Sequence, residues 1–217
     1  MTEIFRRAGV IDINLYAQRS AEIVAAGRFL YSRGWSPATS SNYSARIDAQ
    51  HIAITVSGKH KGELTEAGVM AVDLSGNAVL SACKSSAETL LHTVIYELFP
   101  DVGAVLHTHS VGATVLSRAM VGKSSLPLQD YELQKAFSGQ VTHENEIIIP
   151  IFENTQDIAA LAAQSKDYFS KNPEVPAYLI RGHGLYTWGK NMQDCLRHIE
   201  ALEFLIQCEI EMIRISK

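Results

Sequence analysis

The sequence has no excess of positive charge. Against 23 acidic residues it carries 19 lysines and arginines, which gives a formal net charge of −4. Proteins that bind nucleic acids usually present a basic face to the phosphate backbone. This charge balance therefore argues against a nucleic-acid partner.

Long apolar runs are missing as well. No segment approaches the roughly 20 consecutive apolar residues that a helix needs to cross a bilayer. Residues 1–7 are not followed by the apolar block of a secretion signal. We therefore expect a cytoplasmic protein without membrane contact.

Cysteine is scarce and widely spaced. The chain contains three cysteines, Cys83, Cys195 and Cys208, and no Cys-x-x-Cys pair. An odd number at this spacing indicates neither a disulfide framework nor a cysteine zinc site. We expect reduced thiols, with Cys195 and Cys208 in the buried face of one helix.

Hydrophobic residues, by contrast, make up 47% of the 217 residues, which is enough for the core of a globular protein. The length fits a single domain over residues 1–217. Helical periodicity is predicted in four segments: 15–30, 85–99, 155–170 and 192–215. Strand-like patterns occur at 51–56, 69–74, 78–80, 104–109, 146–151 and 177–180. We expect helices layered on a mixed sheet, with 69–74 and 78–80 forming a hairpin around Gly76.

Two histidines lie close together at the end of a predicted strand. Because side chains alternate along a strand, His107 and His109 should point to the same face. Catalytic zinc commonly takes three protein ligands and keeps one position open. An isolated His-x-His is equally typical of polar residues at a strand end. A candidate third ligand is His183, whose neighbours Gly182 and Gly184 permit close backbone approach, although Gly-His-Gly also occurs in simple turns.

Two glutamates are candidates for proton transfer. Glu88 follows Ser85 at the spacing of a capping box, in which the carboxylate would bond to a helix-start amide. The alternative is that this carboxylate lies beside the metal as a ligand or proton acceptor. Glu132 is either a solvated helix residue or a general acid/base.

Several small polar residues are predicted near turns and a helix start, where amides and hydroxyls collect around anions. They are Asn42, Ser57, Gly58, Ser85 and Ser86. Each is also ordinary turn chemistry. Lys59 and Lys61 either add positive charge there or belong to the solvated surface.

Five segments occur in the order typical of the class II aldolase/adducin family: residues 39–46, 55–59, 86–92, 107–110 and 182–185. The chain resembles this family over nearly its whole length. The resemblance implies an α/β fold, a single three-layer α/β/α domain around a mixed, largely antiparallel sheet. Residues 86–92, 130–135 and 199–203 resemble a branch of the family that dehydrates its substrate.

The resemblance also implies roles for individual residues. One Zn²⁺ per subunit would be bound by His107, His109 and His183. A substrate phosphate would be bound by Asn42, Ser57, Gly58 and Ser86. Aldolases of the family have a tyrosine acid where this chain has Glu132, so Glu132 would be the acid/base, while Glu88 matches the aldolase base.

The expected function is zinc-dependent dehydration of a small phosphorylated sugar-like compound. One alternative is aldol cleavage or epimerisation of a sugar phosphate at the same metal site. Another is a non-catalytic module such as that of adducin. The resemblance further implies a homotetramer with active sites near subunit contacts.

Overall fold

The computed structural model describes residues 11–216. The prediction that the chain has no secretion signal concerns residues 1–7, which lie outside this range. In the described range, no helix has the length and apolar character needed to cross a membrane.

The described residues form five α-helices and eight strands. The helices are α1 (Ile13–Ser32), α2 (Thr89–Leu98), α3 (Val111–Ala119), α4 (Ile158–Lys171) and α5 (Met192–Ile215). The strands are β1 (Asn42–Arg46), β2 (His51–Thr55), β3 (Val69–Asp73), β4 (Ala104–Thr108), β5 (Ser125–Leu128), β6 (Ile147–Phe152), β7 (Ala177–Ile180) and β8 (Gly184–Gly189). The predicted helices at both ends of the described chain are confirmed.

All eight strands belong to one sheet, in the order β3-β2-β1-β4-β8-β7-β6-β5. Every neighbouring pair is antiparallel except β6 and β7, which run parallel. The predicted mixed, largely antiparallel sheet is therefore confirmed. Strands β4 and β8 lie at the centre of the sheet, where the C-terminal end of β4 pairs with the N-terminal end of β8. Residues at this position are therefore buried on both faces of the sheet.

Helices cover both faces of this sheet. A side chain added at Gly27 of α1 would meet Tyr43, whereas the next residue, Ser44, hydrogen-bonds to His92 of α2. Since successive strand residues point to opposite faces, α1 and α2 lie on opposite sides. Helices α3 and α5 pack on the α1 side and α4 packs beside α2, which makes three layers.

Two predictions about local structure are wrong. Residues 78–80 form no strand, and Ala78 makes only an isolated bridge to Val72. Strand β3 is at the sheet edge and Leu80 is exposed, so Val79 is the residue of this segment that packs against the core. Cys195, near the start of α5, is buried as predicted. Cys208, in the second half of the same helix, is only half-buried and does not belong to the core.

Candidate metal centre

The centre of the site is a row of side chains across adjacent strands. In the register of the sheet, His107 on β4 is opposite Asn42 on β1 and Tyr186 on β8. Directly opposed residues point to the same face. The His107 ring is fully buried and stacks on Tyr186 with ring centroids 4.0 Å apart. This packing leaves His107 a single orientation.

His183 approaches from the turn between β7 and β8. Gly182 in this turn has a φ of +66°, a conformation that glycine adopts without strain. A Cβ on Gly184 would collide with the Thr108 carbonyl oxygen and would lie 3.0 Å from Cε1 of His107. The two glycines therefore have the role that the sequence predicted, because they let the turn reach β4.

The three imidazoles converge on one point. His107, His109 and His183 each offer a nitrogen, and these nitrogens lie within 4.8 Å of one another. The Nε2 atoms of His107 and His109 face each other at 2.8 Å. The structure thus brings together three residues separated by up to 76 positions, in an arrangement that fits a small divalent ion.

The protonation state of the histidines also fits a metal. Nδ1 of His107 lies 3.0 Å from the Leu185 carbonyl oxygen. Because this contact requires the proton on Nδ1, the Nε2 lone pair is free to bind a cation. Burial, reinforced by the neighbouring histidines, lowers the pKa of His107 well below its usual value and that of His109 to about 4. Both rings are therefore neutral at pH 7, as metal ligands must be.

Glu88 lies against the same cluster. Its Oε1 is 3.1 Å from Nε2 of His183 and its Oε2 is 3.4 Å from Nε2 of His107. Asn42 Nδ2 and the Tyr186 hydroxyl donate to Oε2 at 2.8 and 2.9 Å. Glu88 is the N-cap residue of α2, yet its side chain caps no helix amide. The capping-box interpretation is therefore wrong: the carboxylate turns inward, where buried donors bind it.

A buried chain of hydrogen bonds between β1 and α2 holds the Asn42 side chain in place. His92 on α2 contacts the Asn42 side-chain oxygen through Nε2 and the Ser44 hydroxyl through Nδ1 at 2.8 Å. Ser44 in turn lies 2.9 Å from the Tyr96 hydroxyl. This chain orients the Asn42 amide with its NH₂ group toward Glu88. Sequence reasoning missed His92, although Glu88 and His92 are four apart, the spacing of one helix face.

The metal centre opens into a cavity of about 310 Å³. Its wall includes His109, His183 and Glu88 together with all four residues predicted to bind phosphate: Asn42, Ser57, Gly58 and Ser86. Asn154, Thr155 and Gln156, in the loop between β6 and α4, complete one side and were missed from the sequence. The structure thus brings the predicted metal and phosphate residues to one place.

Glu132 lies apart from this cavity. It begins a short 3-10 helix, Glu132–Ala136, and its side chain is 75% exposed. A hydrogen bond from Lys135, 2.6 Å away, lowers the pKa of Glu132. Glu132 is not among the residues that line the cavity in the described chain. The structure of one chain therefore does not bring Glu132 to the histidines.

A further carboxylate, also missed from the sequence, lies on the other face of β4. The Thr108 hydroxyl donates to Glu203 of α5 at 3.3 Å, and Ser110, which caps α3, is a second partner. Burial raises the pKa of Glu203 to about 7. Glu203 thus connects the terminal helix to the segment that carries His107 and His109.

The chain is similar to known proteins over most of its length. Residues 21–210 match the model of the class II aldolase and adducin N-terminal domain. The chain is 65% identical to the methylthioribulose-1-phosphate dehydratase of Marinobacter nauticus, over 96% of this chain and 100% of that protein. It is 63% identical to the enzyme of the same name from Hahella chejuensis, over 95% and 100%.

The fold agrees with this relationship. The crystal structure of L-fuculose-1-phosphate aldolase from Thermus thermophilus superposes with a TM-score of 0.74. The two sequences are 23% identical, and the match covers 93% of this chain and 98% of the aldolase. The family and the α/β fold predicted from five ordered motifs are confirmed, and the chain belongs to the class II aldolase and adducin family.

Proposed function

We propose that this protein is a zinc-dependent lyase that dehydrates 5-methylthioribulose 1-phosphate to 2,3-diketo-5-methylthiopentyl 1-phosphate, a step of methionine salvage. The observation that carries the proposal is the 65% identity to a dehydratase of that name, which extends over the whole of that relative. The converged histidines and the adjoining polar cavity support it, because they could hold a metal ion and a phosphorylated substrate side by side.

We assign the metal ligands to His107, His109 and His183. Three imidazoles favour zinc, although iron, manganese or cobalt also accept such a set. When bound, the ion would polarise the oxygens of the substrate carbonyl and neighbouring hydroxyl, which makes the adjacent carbon more acidic. The Glu88 carboxylate is close enough to His107 and His183 to interact electrostatically with an ion bound by these histidines.

The phosphate of the substrate would bind to small polar residues of the cavity wall. These residues are Asn42, Ser57, Gly58 and Ser86. Gly58 has a φ of +74°, so the backbone turns sharply beside the cavity wall. Binding the phosphate positions the reacting carbons without the phosphate taking part in bond breaking.

We assign proton transfer to Glu132. It would remove the proton on C3, next to the C2 carbonyl, and then return a proton as the C4 hydroxyl leaves as water. The resulting enol relaxes to the diketone. Since Glu132 is exposed and does not line the cavity of its own chain, we propose that a neighbouring subunit of a homotetramer supplies it.

Aldol cleavage of a sugar phosphate is the main competing function. The position of Glu88 favours this alternative, because a buried carboxylate beside the metal ligands is suited to act as the base. In that case Glu132 would be an ordinary surface residue. The same cavity would then bind a sugar phosphate such as L-fuculose 1-phosphate.

Substrate assays separate the two functions. We would incubate the zinc-loaded protein with 5-methylthioribulose 1-phosphate and, separately, with L-fuculose 1-phosphate. The proposal predicts a diketone from the first and no aldehyde from the second. Aldehyde release without diketone formation would establish the aldolase instead. Turnover of neither, together with failure of the protein to retain added zinc, would indicate a non-catalytic module.

A further inference from the structure

One lysine in the cavity wall is buried without an acidic partner. Lys61 begins the short 3-10 helix Lys61–Glu63 and is only 1% exposed. Its Nζ donates to the Lys59 carbonyl oxygen at 2.7 Å and lies 3.5 Å from that of Thr39. Among residues 11–216, no carboxylate is within ion-pair distance of this ammonium group.

Such an arrangement is unfavourable unless something else compensates the charge. An ammonium group has three donors and loses its hydration when it is buried. Two carbonyl oxygens, one of them at the limit of hydrogen-bond distance, leave Lys61 with an unused donor and its full positive charge. Burial accordingly lowers the pKa of Lys61 to about 8. An anionic ligand would provide the missing partner.

The wall around Lys61 is suited to such a ligand. Ser41 is buried and lines the same cavity, and its hydroxyl forms no hydrogen bond of normal geometry. Ser86 precedes α2, a helix whose first amides carry partial positive charge. Glu88, the one carboxylate among the described residues of the wall, already accepts hydrogen bonds from Asn42 and Tyr186.

We propose that Lys61 binds the phosphate group of the substrate, with its ammonium group neutralising the dianion and the Ser41 hydroxyl donating a hydrogen bond to it. The proposal rests on the proposed function in that the substrate is a phosphate ester. It adds to the predicted phosphate site the charge that Asn42, Ser57, Gly58 and Ser86 lack. Lys59, two positions earlier, is exposed and contributes only its backbone carbonyl.

Binding of inorganic phosphate to the full-length, zinc-loaded protein tests this role. We would measure the Kd by isothermal titration calorimetry for the wild type, Lys61→Gln and Lys59→Gln. Glutamine retains an N–H donor for the Lys59 carbonyl but removes the charge. A charge-assisted contact corresponds to about 10- to 100-fold in Kd, so Lys61→Gln should weaken binding by that factor. Lys59→Gln should change the Kd less than about twofold. Equal affinities for all three proteins would overturn the proposal.

Two further variants separate charge from folding. Lys61→Arg retains the charge and should bind phosphate more tightly than Lys61→Gln. An Arg variant as weak as the Gln variant would mean that packing, not charge, matters, and would contradict the proposal. Ser41→Ala removes a hydroxyl that forms no hydrogen bond of normal geometry with the residues that the structure describes. It should therefore fold normally and still weaken phosphate binding, and it remains informative if Lys61→Gln does not fold.

This experiment is independent of the reaction. If the protein does not dehydrate 5-methylthioribulose 1-phosphate but Lys61→Gln loses phosphate affinity, the proposed function fails and the lysine site stands. If dehydration is confirmed and phosphate affinity does not depend on Lys61, the proposed function stands and the lysine site fails. Phosphate bound only to the zinc ion would give this second result, since removal of Lys61 would then leave the Kd unchanged.

Discussion

Glu88 and Glu132 occupy opposite kinds of environment in this chain. Glu88 is buried, contacts two of the converging histidines and accepts hydrogen bonds from Asn42 and Tyr186. Glu132 is exposed and pairs with Lys135 on its own short helix. One chain thus brings the three histidines and Glu88 together, whereas its proposed acid/base is left on the surface. The proposed role of Glu132 therefore requires that a second chain complete the cavity, whereas a role of Glu88 as base does not.

Removing a proposed metal ligand should have the largest effect. With His107→Ala two imidazoles remain, and we expect loss of bound zinc and of essentially all turnover. Metal content measured by atomic emission after dialysis checks this. His143→Ala, an exposed histidine near Glu132, is the matched control and should retain its zinc. Equal zinc content in the two variants would refute the ligand assignment.

Exchanging each carboxylate for its amide tests the comparison directly. Loss of a general acid/base typically costs 10²- to 10⁴-fold in rate, and we expect Glu132→Gln to lose turnover by about this factor while retaining zinc. Glu144→Gln, another exposed position, should remain active. If Glu88→Gln is inactive and Glu132→Gln is not, the buried carboxylate is the base and the aldolase-like assignment is correct.

Glu203 should produce a smaller, pH-dependent effect on stability. Its pKa is about 7 in the folded protein against a reference value of 4.5, so the folded state binds the proton more tightly. The resulting stability is fully present below pH 4.5 and is lost as the pH rises through 7. The loss is about 3 kcal/mol at 1.36 kcal/mol per pKa unit. In Glu203→Gln this contribution to the pH dependence should disappear.

Urea unfolding at pH 5 and pH 8 measures the effect of Glu203. The wild type should lose more free energy of unfolding between these values than Glu203→Gln does. Glu200→Gln, an exposed position on the same helix, should behave like the wild type. Identical pH dependence in all three proteins would show that folding does not raise the pKa of Glu203.

The smallest effect is expected at Lys135. Its ion pair with Glu132 is exposed, and such pairs are screened by solvent. Lys135→Met should therefore leave the thermal unfolding midpoint as little changed as Lys171→Met, which breaks an exposed pair on α4. A clearly larger shift for Lys135→Met would show that a subunit contact covers this ion pair in solution, as expected if Glu132 reaches the cavity of a neighbouring subunit.

Much of the site could be predicted because its signals are local. Alternation along β4 correctly places His107 and His109 on one face, and the glycines beside His183 indicate close approach. The limits of α5 were also predicted, since apolar residues repeat through its whole length.

The remaining features depend on contacts distant in sequence. That Asn42 is opposite His107 follows from strand register, which no local pattern specifies. Glu203 meets Thr108 across 95 positions. The capping-box interpretation of Glu88 failed because its local motif does fit a capping box, while the buried donors that bind its carboxylate come from other strands.

The close contact at Gly184 has a thermodynamic consequence. His107 and His183 become neighbours only after β4 has paired with β8, so an unfolded chain contains no such constellation of imidazoles. A cation that prefers the folded chain stabilises it by an amount that grows with the logarithm of the free ion concentration. Binding of such a cation and assembly of the central sheet are therefore thermodynamically coupled.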